Sequence, residues 1–379
     1  MIRAIFWMML LAGVATAQTK PRARDLGVPF DGVPGALNAI TDVAGVEVGH
    51  KTLISGGGKL QPGRGPVRTG VTAVFPRGKD SDDMVFAAWF SQNGDGELTG
   101  TTYIEDMGFL QGPVMITNTH SVGTVRDAVI AWRVKRGGAD ESGYYWSLPV
   151  VGETWDGWLN DINGFHVRPE HVQQAMDSAR GGAVAEGNVG GGTGMICNEF
   201  KGGIGTSSRR LSAEAGGYTV GVLVQCNFGR RPSLMIAGVP VGKEIPEQRA
   251  YEPEDGSIII VVATDAPLLP HQLKRVAKRA GMGLARTGSY ASNGSGDIFI
   301  AFSTANPGAS GEKGVRDLKM LPNDRLSPIF EATVQATEEA IVNAMIAAET
   351  MVGANNRKVV ALPHDRLMEV LRKYHRIAK

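Results

Sequence analysis

Two cysteines in a chain of 379 residues are too few to build a disulfide scaffold, so the fold must rest on a hydrophobic core. Beyond the N-terminal leader no apolar run reaches the roughly 18 residues that a membrane-spanning helix needs. An excess of one charge is missing too: 39 Lys and Arg stand against 38 Asp and Glu, with no basic block. That balance leaves no electrostatic footprint for nucleic acid or for an anionic membrane. The usual phosphate motifs are absent, since there is no G-x-x-x-x-G-K-[ST] and Gly187–Gly194 fails the G-x-G-x-x-G spacing in every register. The seven histidines form no H-E-x-x-H, the cysteines lack zinc spacing, and His166 and His171, five apart, read as surface or capped residues. No metal and no cofactor are expected. A G-x-S-x-G nucleophile elbow is also lacking, which argues against a conventional serine hydrolase.

Glycine is abundant instead, at 51 residues, without a collagen period or low complexity. Such glycines serve turns and close backbone approach. Residues 1–17 read as a signal peptide: Arg3 supplies the positive end, Ile5 to Leu11 the apolar centre, and Ala15-Thr16-Ala17 the cleavage site. The expectation is export to the periplasm, cleavage before Gln18, and no membrane association afterwards. An oxidising compartment would permit Cys197 and Cys226 to pair, but buried free thiols are the expected state.

Along the mature chain, residues 18–38 are polar and punctuated by Gly and Pro, an extended arm. Strands are expected at 43–48, 70–75, 85–90, 114–118, 218–225, 232–241, 257–264 and 298–303, where β-branched runs are bounded by turn residues. Residues 181–205 read as dominated by loop. Helices are expected over 124–135, 169–179, around Leu273, Val276, Ala277 and Ala280 (apolar at i, i+3, i+4 and i+7), and over 329–351 and 363–374. With no long linker and no repeat, these form one layered α/β unit, and residues 243–256 are its only exposed connector.

That connector ends in Glu252-Pro253-Glu254-Asp255-Gly256-Ser257 and runs directly into an unbroken apolar strand. A Gly-Ser peptide there could be a simple turn. It could also be a scissile bond: attack of the Ser257 hydroxyl on the Gly256 carbonyl, followed by hydrolysis, would leave that hydroxyl beside its own α-amine. A free α-amine has a pKa near 7.7 and suits a base at neutral pH.

The residues Arg22–Gly27, NAITDVAGVEVGH at 38–50, GPVMITNTHSVGTVRD at 112–127, NDINGFHV at 160–167, GNVGGGTGMIC at 187–197, 257–273 and YASNGSGDIFIAFSTAN at 290–306 together resemble the DmpA/BapA family. These are N-terminal-serine aminopeptidases, comprising L-aminopeptidase/D-esterase-amidases and β-peptidyl aminopeptidases. The resemblance covers nearly all of residues 20–379 and implies an αββα sandwich of the DmpA/ornithine-acetyltransferase type, like N-terminal-nucleophile hydrolases but differently connected. It implies self-cleavage between Gly256 and Ser257 into an α chain, 18–256, and a β chain, 257–379, of one catalytic domain, assembled as a homotetramer of αβ heterodimers. Ser257 would be the nucleophile. Ser295 would bond its hydroxyl, and Asp297 would hold the α-ammonium or orient Ser295, with a shorter reach than the Glu of some relatives. Asn227 would donate to the oxyanion, and Glu153 would bind the free amine of a small peptide, amide or ester. Trp155 stands where DmpA-like members have a Tyr; its indole can donate a hydrogen bond but not accept one. The rival readings are an acyltransferase akin to ornithine acetyltransferases, disfavoured by Ser at 257 and by the leader, and a non-catalytic periplasmic binding protein.

Overall fold

A computed structural model describes residues 20–250, 256–311 and 313–378. Residues 1–17, which the sequence reads as a signal peptide, and the acidic stretch 252–255 lie outside the described residues.

In chain order the strands are β1 (Glu47–Ser55), β2 (Val67–Phe75), β3 (Val85–Gly94), β4 (Phe109–Leu110), β5 (Val114–Asn118), β6 (Val150–Thr154), β7 (Ile196–Cys197), β8 (Phe200–Lys201), β9 (Gly203–Arg210), β10 (Thr219–Asn227), β11 (Ser257–Thr264), β12 (Gly296–Ser303), β13 (Met351–Val352) and β14 (Lys358–Val359). The helices are α1 (Thr101–Met107), α2 (Val122–Lys135), α3 (Pro169–Asp177), α4 (Val241–Glu244), α5 (Pro270–Arg286), α6 (Ser327–Ile346) and α7 (His364–Lys373).

Two sheets carry the molecule. The smaller runs β1-β2-β5-β6 and the larger β4-β3-β12-β11-β10-β9. Between them lies an apolar layer that includes Val74, Ile116 and Val150 from the first sheet and Leu223, Ile259, Val261 and Ile300 from the second. Helices α2 and α3 cover the outer face of the small sheet, through Val125, Val129, Val172 and Met176. On the outer face of the large sheet, α5 and α6 pack Leu273, Val276, Ala280, Ala340 and Ile341 against Val222, Val224 and Ile260. The layers therefore read helix, sheet, sheet, helix, the αββα sandwich expected. The period-2 alternation of strands explains the sorting: along β10, Val222, Val224 and Cys226 face the helices, whereas Leu223 faces the other sheet and Gln225 and Asn227 share its side.

Residues 181–205 are dominated by loop, as expected, and β9 begins only at Gly203 and carries on to Arg210. Its polar sequence hides a strand buried from Gly203 to Arg209, in which each inward polar group finds a partner: Thr206 Oγ1 donates to Val222 O at 2.7 Å and Ser207 Oγ to Ala336 O at 2.6 Å. Three expectations need correction. Residues 232–241 form no sheet strand. Leu234, Ile236, Val239 and Val241 are buried, and the segment folds on itself through an isolated Ile236–Val239 bridge before α4. The long Ala-rich helix stops at Ile346, and Met351–Val352 pairs with Lys358–Val359 instead. Cys197 and Cys226 are paired rather than free, with Cα atoms 5.7 Å apart, inside the range a disulfide spans.

Glycine decides one helix contact. A Cβ on Gly205 would overlap the Ala340 carbonyl oxygen, so α6 can lie against β9 only because that position has no side chain.

Candidate active site

The register of the large sheet assembles the site. Antiparallel pairing of β10 with β11 sets Asn227 directly opposite Ser257. Parallel pairing of β11 with β12 sets Ile258 beside Asp297, which brings the start of β12 against the start of β11. Ser257 is 8% exposed, and its Oγ accepts a hydrogen bond from the backbone N–H of Gly296 at 3.1 Å. A donor aimed at this oxygen favours its charged form. Gly256 packs so tightly on β10 that a Cβ there would overlap Asn227 O and press on Phe228 Cα.

Ser295 and Asp297 are paired with each other: Ser295 Oγ donates to Asp297 Oδ2 at 3.0 Å. The expected bond between the Ser295 and Ser257 hydroxyls is not formed; Ser257 Oγ is met by the Gly296 N–H instead. Asn93 completes this corner, its Nδ2 donating to Ser295 Oγ at 3.1 Å and to Ser292 O at 2.5 Å. A bulge in the β3–β12 pairing puts Gln92 and Asn93 at the same level, aiming Asn93 at the turn before β12. Asp297 is fully buried, and burial pushes its carboxyl up to about 6 against the pull of its hydrogen bonds. Its Oδ1 has no partner among the described residues.

The Asn227 carboxamide is held by both ends. Its Oδ1 accepts from Ile196 N at 2.8 Å, and its Nδ2 donates to Trp155 O at 3.0 Å. This fixes the amide orientation and leaves the second Nδ2 hydrogen to point elsewhere. Glu153 is 4% exposed at the end of β6. It accepts from Glu97 N at 2.9 Å and from the Thr119 hydroxyl. Desolvation, with the nearby Glu97 and Asp95 charges, raises its pKa above the usual carboxylate value. Trp155 is 44% exposed.

Ser257, Asn227, Glu153, Trp155 and Gly256 all line one pocket of about 380 Å³, with Thr119, Asp95 and Glu97 at its acidic end. Ser295 and Asp297 lie behind Gly256 in an adjoining narrow cleft. The sequence offered no signal for Asn93, Thr119 or the Gly296 amide, since the first two are polar residues in turn-like contexts and the third is backbone.

A model of peptidase family S58 matches residues 38–359. The chain belongs to peptidase family S58. As a member of that family it is a peptide hydrolase. It is 58% identical over 99% of its length to the β-peptidyl aminopeptidase BapA of Sphingosinicella microcystinivorans, covering 98% of that protein. The L-aminopeptidase D-Ala-esterase/amidase of Ochrobactrum anthropi, described as a variant of the Ntn hydrolase fold, superposes with a TM-score of 0.88 at 48% identity, over 95% of this chain and all of that one. A β-aminopeptidase of a Burkholderia species gives 0.86 at 48% identity, over 93% of this chain and 99% of that one. The family and the αββα architecture expected from the sequence therefore stand.

Proposed function

We propose that this S58 peptidase is a self-processing serine aminopeptidase that removes the N-terminal residue from short peptides, amides or esters, including β-peptides or D-alanyl substrates. The observation that carries the reading is the convergence of Ser257, an oriented Asn227 amide and the buried Glu153 carboxylate on one pocket.

In the first step Ser257 Oγ attacks the Gly256 carbonyl carbon. The Gly256–Ser257 amide bond breaks, an ester forms on Oγ as the hydroxyl proton passes to the departing nitrogen, and water hydrolyses the ester to a Gly256 carboxylate and a free Ser257 amine. In turnover Glu153 takes the substrate's ammonium, and Ser257 Oγ attacks the first carbonyl while its own amine accepts the hydroxyl proton. The free Asn227 N–H stabilises the oxyanion, a contribution of about 3 kcal/mol for one preorganised donor. The leaving amine takes the proton, and water releases the acyl group. The unpartnered Asp297 Oδ1, next to the start of β11, is free to receive the new ammonium. The leader implies a periplasmic enzyme, and the family resemblance implies a homotetramer of αβ units.

A panel of L-, D- and β-aminoacyl p-nitroanilides tests the reading. Ser257→Ala should remain one chain and release no product. Glu153→Gln should still cut itself but lose roughly 2–5 kcal/mol in kcat/KM on substrates with a free amine. Wild-type turnover in a Ser257→Ala protein would refute the nucleophile, and full activity in Glu153→Gln would refute the anchor.

A further inference from the structure

The two ends of the proposed substrate site belong to different sheets. Glu153 is the penultimate residue of β6 in the small sheet, whereas Ser257 and Asn227 belong to the large one. Their separation is thus a distance between sheets. An apolar layer holds that distance without direction, because hydrophobic attraction follows area and not angle. Near the site a polar side chain crosses the gap. Gln225, two residues before Asn227 and on the same face of β10, is fully buried. Its Nε2 donates both to Thr117 O of β5 at 2.9 Å and to Thr154 Oγ1 of β6 at 2.8 Å. Both amide hydrogens are committed to the opposite sheet, one of them to the residue next to Glu153.

The circuit closes on the oxyanion donor. The Thr154 hydroxyl donates to Met195 Sδ at 2.8 Å, and the next residue, Ile196, gives its N–H to Asn227 Oδ1 at 2.8 Å. On the far side Gly191 lies so close that a Cβ there would overlap Gln225 Oε1. That oxygen is buried with no partner among the described residues. An unmatched buried acceptor is costly, and Leu or Met would fill the position without it, so this carboxamide needs a compensating role.

We infer that Gln225 is a positioning residue that sets the distance from the amine anchor to the acylation centre, and thereby selects between α- and β-aminoacyl substrates. The inference rests on the function proposed above. A β-aminoacyl group carries one more methylene between its amine and its carbonyl, and a pocket contact that reads one methylene is worth about 10- to 200-fold. Loosening the Gln225 bridge lets the two ends shift, which changes the fit of one chain length more than that of the other.

The test measures kcat and KM for β-alanyl and L-alanyl p-nitroanilide with wild type, Gln225→Met, Thr154→Val and Thr154→Ser. Gln225→Met and Thr154→Val should each change the ratio of kcat/KM between the two substrates by about tenfold. Thr154→Ser, which keeps the hydroxyl, should keep the wild-type ratio. Equal losses on both substrates, with the ratio unchanged, would show Gln225 to be merely structural and overturn the inference. If Gln225→Met fails to fold, Thr154→Val carries the test, since it removes one acceptor while preserving side-chain shape. A wild-type protein inert on both substrates and on the D-alanyl p-nitroanilide would instead refute the aminopeptidase reading on which the inference stands.

Discussion

Asp297 is the residue on which the pH behaviour turns. Burial lifts its pKa from 3.8 to about 6, so between those values the folded chain holds a proton that the unfolded chain releases. Its contribution to stability therefore falls as pH rises from about 4 to about 6. The rate of self-cleavage should move the other way. The ionised carboxylate holds the Ser295 proton and leaves the Ser295 oxygen to accept the Ser257 proton as attack begins, so cleavage of the freshly refolded chain should accelerate as pH passes about 6. Asp297→Asn should cleave more slowly and lose that inflection; a wild-type profile flat across pH 5–7, by time-resolved gel, would contradict the assignment. From the residues alone, the Gly256-Ser257 peptide stood out only as one of two readings, and the other site residues came through family resemblance. No spacing links Glu153, Asn227, Ser257 and Asp297 in sequence. Sheet register and the packing of two sheets bring them together, and neither is visible in a linear pattern. Gln225, an ordinary polar residue in an apolar strand, carried no signal for the same reason.

At the scale of elements, the sequence was most legible where burial and period agree. β5 and β11 lie within their expected limits, and the apolar stripe of α5 faces the core. It misled where those two separate. β9 gives no strand signal because Ser, Thr and Arg fill it, yet Arg209 is buried against Glu339, Nη2 to Oε2 at 2.7 Å. Residues 232–241 read as strand because they are aliphatic, yet their side chains fill the helix-side core without a sheet partner. Close packing of α6 on β9 yields a sharp expectation. Gly205→Ala drives a methyl into the Ala340 carbonyl, and such overpacking costs about 1–3 kcal/mol. The denaturant midpoint should drop accordingly, and an unchanged midpoint would mean that α6 sits farther from the sheet than described.

For the whole molecule, the proposed cut falls inside a single interleaved core. β11 and β12 lie between β10 and β3 in one sheet, so a chain broken before Ser257 has its two parts hydrogen-bonded on both sides. The N-terminal arm is clamped to the later part as well: Arg24 pairs with the buried Glu339 of α6 at 2.8 Å, and Asn38 Nδ2 donates to the same carboxylate at 2.5 Å. The two products should therefore co-elute under native conditions and separate only in denaturant.

The account stands or falls on the Gly256–Ser257 bond. Intact-mass measurement of freshly purified, active protein under denaturing conditions examines it directly. The account predicts two polypeptides, one of which begins at Ser257 with a free amine. A single unbroken chain in a fully active preparation would contradict it.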